Sequence, residues 1–478
     1  MAVDPEVRHQ ALSCLLLGFV GETPPAWLLD ALDRGLAGVV LFGSNLGDGT
    51  QVNRLTQRLT SAAGRPLVLA TDEEGGDVTR LDTVRGSVAP GAAALGFFDD
   101  VTVTEETYAA IGVRLAEAGL TMNLAPVADV NIDPLNPVIG LRSFGADPAL
   151  AGRHVAAAVR GVQRAGVAAC VKHFPGHGAT RDDSHHEVAV LDRTREEIES
   201  VELEPFRAAI TAGTRAVMTG HLLATGLDPE HLVTLSRDVT TGLLRQRLGF
   251  AGAIVTDALE MKAVASTVGI VEGFVQSLIA GADTIESGAV EHAYLVDEIP
   301  LAVERALRDG RLSESRLADA AARTASLARP VDPGVVVDRL VVEGAARRCL
   351  EVRGTLPDLV RPLVLESRTP GGMASGELPW SLGGLVPGEG AVPATGPDQP
   401  LPDLTGRSLV LVVRDPLRHP WQHRLLEIAA ARAGSVVVDV GWPTELGVDL
   451  PLIRTRGIAP GLLAAAAELL ASRVRGAA

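Results

Sequence analysis

The stretch DPALAGRHVAAAVRGVQRAGVAACVKHF (residues 147–174) contains the repeating unit from which the fold of this chain is predicted. Its first part, 147–166, has the pattern of an amphipathic helix, and its second part, 167–174, is an apolar run that ends in polar residues. A continuous apolar strand between helices is typical of a parallel sheet with both faces covered. The stretch therefore predicts one helix–strand step of an α/β protein.

Similar apolar runs recur along the first two thirds of the chain, most of them separated by helix-like segments. The eight runs lie at 15–21, 37–43, 66–72, 122–130, 167–174, 216–222, 252–258 and 282–288. An open doubly wound sheet has the same periodicity, but eight units favour a (β/α)8 TIM barrel. In such a barrel the catalytic groups lie at the carboxyl ends of the strands, and polar residues end several of these runs.

A second domain is predicted after the prolines in LARPVDPGVVVD (327–338), which interrupt the helical pattern. The expected division is a TIM-barrel domain at 1–330, a linker at 331–340 and a smaller α/β sandwich domain at 341–478. The sandwich is indicated by apolar runs at 361–367, 408–416 and 435–443. Residues 369–404, rich in Gly and Pro, have no periodicity and are predicted to form a long loop.

The composition limits the possible partners. The 478 residues carry a formal charge of −16, which argues against nucleic acid and against an anionic membrane surface, since both require clustered Lys and Arg. No segment approaches the roughly 18 apolar residues of a membrane span, and the acidic start before the apolar run at 11–21 is unlike a signal peptide. Three scattered cysteines indicate no disulfide framework. We therefore expect a cytoplasmic protein, with an oligomeric state that the sequence leaves open.

A dense group of titratable residues follows the fifth run, in KHFPGHGATRDDSHH (172–186). Asp183 and His185 lie two residues apart, so a loop can fold the carboxylate onto the imidazole and raise its pKa. The other ring nitrogen can then give and take a proton. Lys172 is one of only two lysines in the chain, which suggests that a compact ammonium is needed there. A polar surface loop would explain the same residues without catalysis.

A zinc site is the second functional interpretation of this group. His173, His177, His185 and His186 with Asp183 offer enough nitrogen and oxygen ligands. The proline and glycine between His173 and His177 prevent these two from sharing one helix face, as an HExxH pair does. The sequence supplies no second cluster of ligands, so we expect no metal and no cofactor.

Two further strand ends carry candidate residues. Asp257 ends the seventh run beside small residues, where a lone carboxylate serves as a nucleophile or as the N-cap of a helix. In ATDEEGGDVTRLD (70–82), Asp72 and Arg80 follow the third run and could reach the hydroxyls of a sugar. A charged surface loop is the alternative for these two residues.

The string KHFPGHG (172–178), followed four residues later by DSH (183–185), closely resembles the signature of glycoside hydrolase family 3, in its bacterial β-N-acetylglucosaminidase branch. The resemblance covers roughly residues 12–330. It continues through GFVGETPP (18–25), GVVLFGSNL (38–46), DEEGGDVTR (72–80), RSFGADP (142–148), VMTGHL (217–222) and TDALEM (256–261). The second domain resembles the α/β sandwich that some members of this family append.

The resemblance implies a role for each matching residue. Asp257 would be the nucleophile that forms a covalent glycosyl-enzyme in a retaining mechanism, and His185 with Asp183 would be the acid/base dyad. The residues that would hold the terminal sugar are Asp72, Arg80, Arg142, Lys172 and His173.

This chain departs from the family pattern at two places. Ala189 stands where the family often has proline, so the loop before it is expected to be restrained differently. Glu73 stands where the family usually has glutamine, and Asp77 adds another acid. We expect the extra negative charge to influence subsite preference.

The implied function is that of a retaining exo-β-N-acetylglucosaminidase acting on a GlcNAc-containing disaccharide or muropeptide, or on chitin fragments. Three alternatives stay open. A neutral imidazole repels phosphate less than a carboxylate does, so phosphate could replace water and make the protein a phosphorylase. A non-catalytic sugar-binding protein would be expected to lack Asp257 or His185, and this chain has both. A metal-dependent TIM-barrel hydrolase would be inhibited by a chelator.

Overall fold

The computed structural model folds into two α/β units, each built on its own sheet. The described residues are 3–47, 51–181, 188–289, 292–329, 335–372, 374–376, 379–388 and 390–475. Among them, every helix is too short or too polar to cross a bilayer.

Ten strands belong to the first unit. They are β1 (Leu15–Leu17), β2 (Gly38–Val40), β3 (Val68–Thr71), β4 (Met122–Asn123), β5 (Ala168–Phe174), β6 (Ala189–Leu191), β7 (Ala216–Thr219), β8 (Leu222–Ala224), β9 (Ala253–Thr256) and β10 (Ile285–Ser287). Eight form one parallel sheet in the order β10-β1-β2-β3-β4-β5-β7-β9, and β6 pairs with β8 separately. A bridge between Val255 and Thr284 joins β9 to β10. Because a doubly wound sheet would reverse its strand order, this sequential order confirms the predicted TIM barrel.

Helices pack against the outer face of the strands in one continuous core. They are α1 (Pro5–Leu12), α2 (Ala26–Asp33), α3 (Gly43–Leu46), α4 (Val52–Ala63), α5 (Ala92–Phe98), α6 (Val101–Glu117), α7 (Pro148–Arg164), α8 (Arg195–Glu197), α9 (Leu203–Thr211), α10 (Lys262–Ala265), α11 (Ile270–Ala280), α12 (Leu295–Arg308) and α13 (Glu314–Leu327). Short 3-10 turns lie at Gly140–Arg142 and Val233–Leu235, and π-helical segments at Ile198–Glu202 and Asp238–Arg247. The helix predicted from the opening stretch is α7, and Asp147 caps it by accepting the N–H of Leu150 at 2.7 Å.

Side chains alternate along each barrel strand between the outer core and the barrel interior. Leu16, Ala70, Cys170 and Val255 belong to a separate cluster of interior residues, while their chain neighbours pack against the helices. The next interior positions after Ala70, Cys170 and Val255 are two residues further on. The strand period thus directs Asp72, Lys172 and Asp257 into the mouth of the barrel.

The second unit contains eight further strands and three helices. They are α14 (Arg339–Arg348), β11 (Glu351–Arg353), β12 (Leu359–Val360), β13 (Leu363–Ser367), β14 (Ala391–Ala394), β15 (Leu409–Val413), α15 (Gln422–Ala430), β16 (Val436–Asp439), β17 (Leu452–Arg454), α16 (Pro460–Ala471) and β18 (Val474–Arg475). Six strands form a sheet in the order β11-β17-β16-β15-β13-β14. One face packs against α16 and the other against α15, which confirms the predicted α/β sandwich.

The prediction of a structureless loop over 369–404 is wrong in part, because residues 391–394 form β14. This strand pairs with β13 at the edge of the sheet, where the missing N–H of Pro393 is tolerated. Because Pro393 is unfavourable in most strands, the sequence did not indicate this one. The predicted boundaries at 330 and 340 stay a prediction, since residues 330–334 lie outside the described part of the chain.

Candidate active site

Polar side chains from three strand ends meet at the carboxyl end of the barrel. Asp72 follows β3, Lys172 lies near the end of β5, and Asp257 follows β9. All three occupy interior positions, with Lys172 buried and the two carboxylates half-buried. The barrel therefore brings together three residues that are far apart in the sequence.

Lys172 is held between two carboxylates. Its Nζ lies 2.5 Å from Asp72 Oδ1 and 2.8 Å from Glu74 Oε1. Burial alone would lower the pKa of this lysine, but the charges of Asp72 and Glu74 outweigh burial, so the pKa of Lys172 is raised above its ordinary value. The ammonium is therefore charged and fixed in position.

Arg142 is fixed through the same Glu74. Its Nε and Nη2 donate to the two Glu74 oxygens at 2.9 and 2.8 Å, a two-pronged arrangement that fixes the guanidinium plane. Burial would raise the pKa of Glu74, but the charges of Arg142 and Lys172 lower it below the ordinary range. Glu74 thus links two cations that the sequence analysis identified separately.

Arg80 connects this network to the second unit. Its Nη2 lies 3.9 Å from Asp72 Oδ2 and donates to the carbonyl oxygen of Ala374 at 2.7 Å. A cavity of about 210 Å³ lies beside Arg142, and Arg414 and Trp442 of the second unit are among the residues that line it. The second unit therefore contacts Arg80 and lines a cavity beside Arg142, at one side of the candidate site.

The two unusual acids of the loop after β3 have structural partners. Glu73 is buried, and its Oε2 accepts the backbone N–H groups of Arg80 and Leu81 at 2.8 and 3.0 Å. Asp77 accepts from Arg414 of the second unit at 2.7 Å. These contacts hold the loop and dock the second unit, and the expected influence of both acids on subsite preference stays a prediction.

His173 is held by a carboxylate that the sequence analysis did not select. Asp129, buried in the segment after β4, lies with its Oδ2 2.7 Å from His173 Nδ1. Its Oδ1 accepts the backbone N–H groups of His173 and His177 at 3.2 and 2.7 Å. Burial would raise the pKa of Asp129, but His173 lowers it. The carboxylate therefore orients the His173 ring and leaves Nε2 for a ligand.

Asp257 is not a helix cap in the structure. The next helix, α10, begins at Lys262 with Met261 as its N-cap, so the N-cap alternative for Asp257 is wrong. The Asp257 N–H donates to the carbonyl oxygen of Thr219 at 3.1 Å, and Asp257 Oδ1 accepts the N–H of Ala258 at 2.8 Å. The backbone fixes this carboxylate at the barrel mouth.

The expected acid/base pair, Asp183 and His185, lies outside the described residues. Both belong to the segment that joins β5 to β6. On the described side of that segment, Arg181 Nε donates to Asp133 Oδ2 at 2.6 Å. The assignment of Asp183 and His185 as the acid/base pair therefore stays a prediction from the motif.

The described residues offer no group of three or more His, Cys, Asp or Glu side chains able to hold a metal ion. His173 is engaged by Asp129, and His177 Nδ1 lies 2.6 Å from the hydroxyl of Thr180. Burial and the neighbouring His173 lower the pKa of His177 to about 4, so this imidazole is neutral. These contacts orient the two rings, and the other candidate ligands, Asp183, His185 and His186, lie outside the described residues, so the expected absence of a metal stays a prediction.

Three acidic residues of the barrel mouth escaped the sequence analysis: Glu74, Asp129 and Glu286. Glu74 belongs to the acidic loop after β3, Asp129 to the fourth apolar run and Glu286 to the eighth. For Asp129 the available signal was an acid inside an otherwise apolar run, because a buried charge requires a partner or a function.

Comparison with known proteins identifies relatives of this chain. The model of the glycosyl hydrolase family 3 N-terminal domain matches residues 26–327. A beta-hexosaminidase from Xylella fastidiosa (strain M23) is 36% identical over 295 residues, covering 60% of this chain and 86% of that protein. Beta-hexosaminidase A of Pseudoalteromonas piscicida is 32% identical over 331 residues, 64% of this chain, which spans only 55% of that longer relative. The solved glycoside hydrolase family 3 beta-N-acetylglucosaminidase from Paenibacillus sp. str. FPU-7 is 32% identical, with a TM-score of 0.87 over 98% of this chain and 96% of that one.

Proposed function

Because the chain belongs to glycoside hydrolase family 3, we propose that it is a retaining exo-β-N-acetylglucosaminidase that releases terminal GlcNAc from cell-wall-derived or chitin-derived oligosaccharides. One observation carries the proposal. The carboxylate of Asp257 lies at the same barrel mouth as the fixed network of Asp72, Lys172 and Arg142. A nucleophilic carboxylate beside an array of hydroxyl-binding groups is the arrangement that a retaining glycosidase requires.

Four residues of the barrel mouth have a chemical role in this proposal. Asp257 attacks the anomeric carbon and forms the covalent glycosyl-enzyme, which water then hydrolyses. Lys172 and Arg142 donate hydrogen bonds to hydroxyls of the terminal sugar, and Asp72 accepts one. Since their own partners already fix these side chains, little entropy is lost when the sugar binds.

The proton transfers are assigned to His185 and Asp183. The imidazole would protonate the leaving glycosidic oxygen and later take a proton from the attacking water, while the carboxylate orients the ring. The DSH motif and the family support this assignment. A cytoplasmic location and a muropeptide substrate likewise stay proposals.

The test uses 4-nitrophenyl β-N-acetylglucosaminide with the intact protein and with Asp257→Ala, each with and without phosphate. We expect release of 4-nitrophenol and free GlcNAc by the intact protein in both buffers, unchanged by a chelator. Loss of the nucleophile is expected to lower kcat by at least about a thousandfold. A sugar 1-phosphate formed only with phosphate would identify a phosphorylase. No release by the intact protein would refute this substrate class.

A further inference from the structure

The acidic residue Glu286 lies at the floor of the barrel mouth, next to Asp257. Glu286 of β10 pairs with Leu16 of β1, an interior residue, and so also points into the barrel. The bridge between Val255 and Thr284 joins β9 to β10, and beyond it the N–H of Leu259 donates to the carbonyl oxygen of Glu286 at 3.0 Å, so the segment that carries Asp257 runs beside Glu286. Neighbouring strands lie about 4.8 Å apart, so the two side chains face the same space and their charges act on each other.

The surroundings of Glu286 disfavour its charge. The residue is 3% exposed, and its Oε2 has no hydrogen-bond partner among the described residues. Burial is the largest effect that raises its pKa well above the ordinary value. Among the described residues, the charged groups with the largest effect on it are Asp72 after β3, Asp257 and Glu260 after β9, and the cation Lys172 in β5. Lys172 is already engaged by Asp72 and Glu74, so it compensates little of this negative charge.

Cys170 of β5 also interacts electrostatically with Glu286, but burial raises the pKa of its thiol, which therefore stays neutral. Leu16 of β1, which pairs with Glu286, is apolar.

Asp257 is the better site for a negative charge. It is half-buried where Glu286 is buried, and its Oδ1 accepts the backbone N–H of Ala258 at 2.8 Å. When two adjacent carboxyls share one proton, the proton resides on the group whose charged form is less stabilised. That group is Glu286.

We propose, resting on the function proposed above, that Glu286 is a positioning residue that carries the shared proton as a neutral carboxylic acid and so leaves Asp257 charged. When Glu286 ionises at alkaline pH, a second negative charge beside Asp257 repels it and displaces the nucleophile from the anomeric carbon. Glu286 itself takes no part in bond formation.

The experiment measures the pH dependence of kcat/KM on 2,4-dinitrophenyl β-N-acetylglucosaminide. Dinitrophenolate leaves without a proton, so the alkaline limb of this profile does not report the acid that protonates ordinary leaving groups. In Glu286→Gln, which keeps a neutral polar group, we expect the alkaline limb to move up by at least one pH unit while the acid limb stays in place. Activity at the optimum is expected within about threefold of the intact protein.

Glu286→Leu is the second variant, in case glutamine is not accommodated, because an apolar side chain suits the barrel interior. It is expected to show the same shift of the alkaline limb. Glu260→Gln removes a neighbouring carboxyl that is less buried and keeps Glu286, so its alkaline limb is expected not to move up.

An alkaline limb that is unchanged in both Glu286 variants, or that moves equally in Glu260→Gln, would overturn the inference and leave the proposed function intact. An intact protein that is inactive on both aryl glycosides would refute the proposed function and this inference with it.

Discussion

The substitution Asp129→Asn tests the contact that orients His173. In the structure, Asp129 Oδ1 accepts two backbone N–H groups and Oδ2 faces His173 Nδ1 at 2.7 Å. Asparagine preserves the volume and can keep the two backbone contacts through its carbonyl oxygen. Its amide nitrogen then faces His173 Nδ1, so the ring must shift its proton to Nε2 or lose the contact.

The expected magnitude follows from these contacts. A hydrogen bond to a charged group contributes roughly 1 kcal/mol more than a neutral one. Two contacts lose this charge in Asp129→Asn, the one to the imidazole and the shorter of the two to the backbone. Together they lower the stabilisation of the transition state by about 2 kcal/mol, which corresponds to about a 30-fold loss of kcat/KM. Because the shape of the side chain is kept, we expect the melting temperature to fall by only a few degrees, about what 1–2 kcal/mol produces.

The assay is the steady-state release of 4-nitrophenol from the β-N-acetylglucosaminide, with thermal unfolding measured in parallel. The matched control is Asp99→Asn, which alters a second Asp–His pair outside the site, with Asp99 Oδ1 3.1 Å from His154 Nε2. Asn is well tolerated at Asp99, whose φ is 55°. We expect the control to keep kcat/KM within about twofold, as is typical of a site remote from the chemistry. The reasoning is refuted if Asp129→Asn is also within twofold, or if both variants lose activity equally.

Three further substitutions address stability. Arg414→Ala leaves the buried Asp77 without its 2.7 Å ion pair to the second unit. We expect it to lower the free energy of unfolding by about 3 kcal/mol, measured as a lower melting temperature. Burial raises the pKa of Glu202 to about 7, so the native state binds this proton more tightly than the unfolded state and stability falls as pH rises from 4.5 to about 7. Glu202→Gln should flatten that part of a melting-temperature profile, and an unchanged slope would contradict this assignment. Gly38→Ala would place a Cβ 1.8 Å from the carbonyl oxygen of Val68 and is expected to destabilise the barrel by about 3 kcal/mol or prevent folding, as judged by circular dichroism.

The sequence alone determined the eight strand–helix units, because strand and helix periods are local properties of the chain. The sequential strand order that distinguishes a barrel from a doubly wound sheet is seen only in the structure. Each of the eight apolar runs contains one barrel strand, and the residues two positions beyond Ala70, Cys170 and Val255 are interior for the same reason of period. The local pattern was therefore sufficient to select Asp72, Lys172 and Asp257 as candidate site residues.

The tertiary structure decided which partner each of these side chains has. That Glu74 joins Lys172 to Arg142, and that Asp129 holds His173, depends on contacts between strands and loops that no local pattern encodes. The same holds for Glu286, since only the pairing of β9 with β10 brings it beside the segment that carries Asp257. Electrostatic interactions act through space, so the charge state of a buried carboxyl is set by neighbours that only folding brings together.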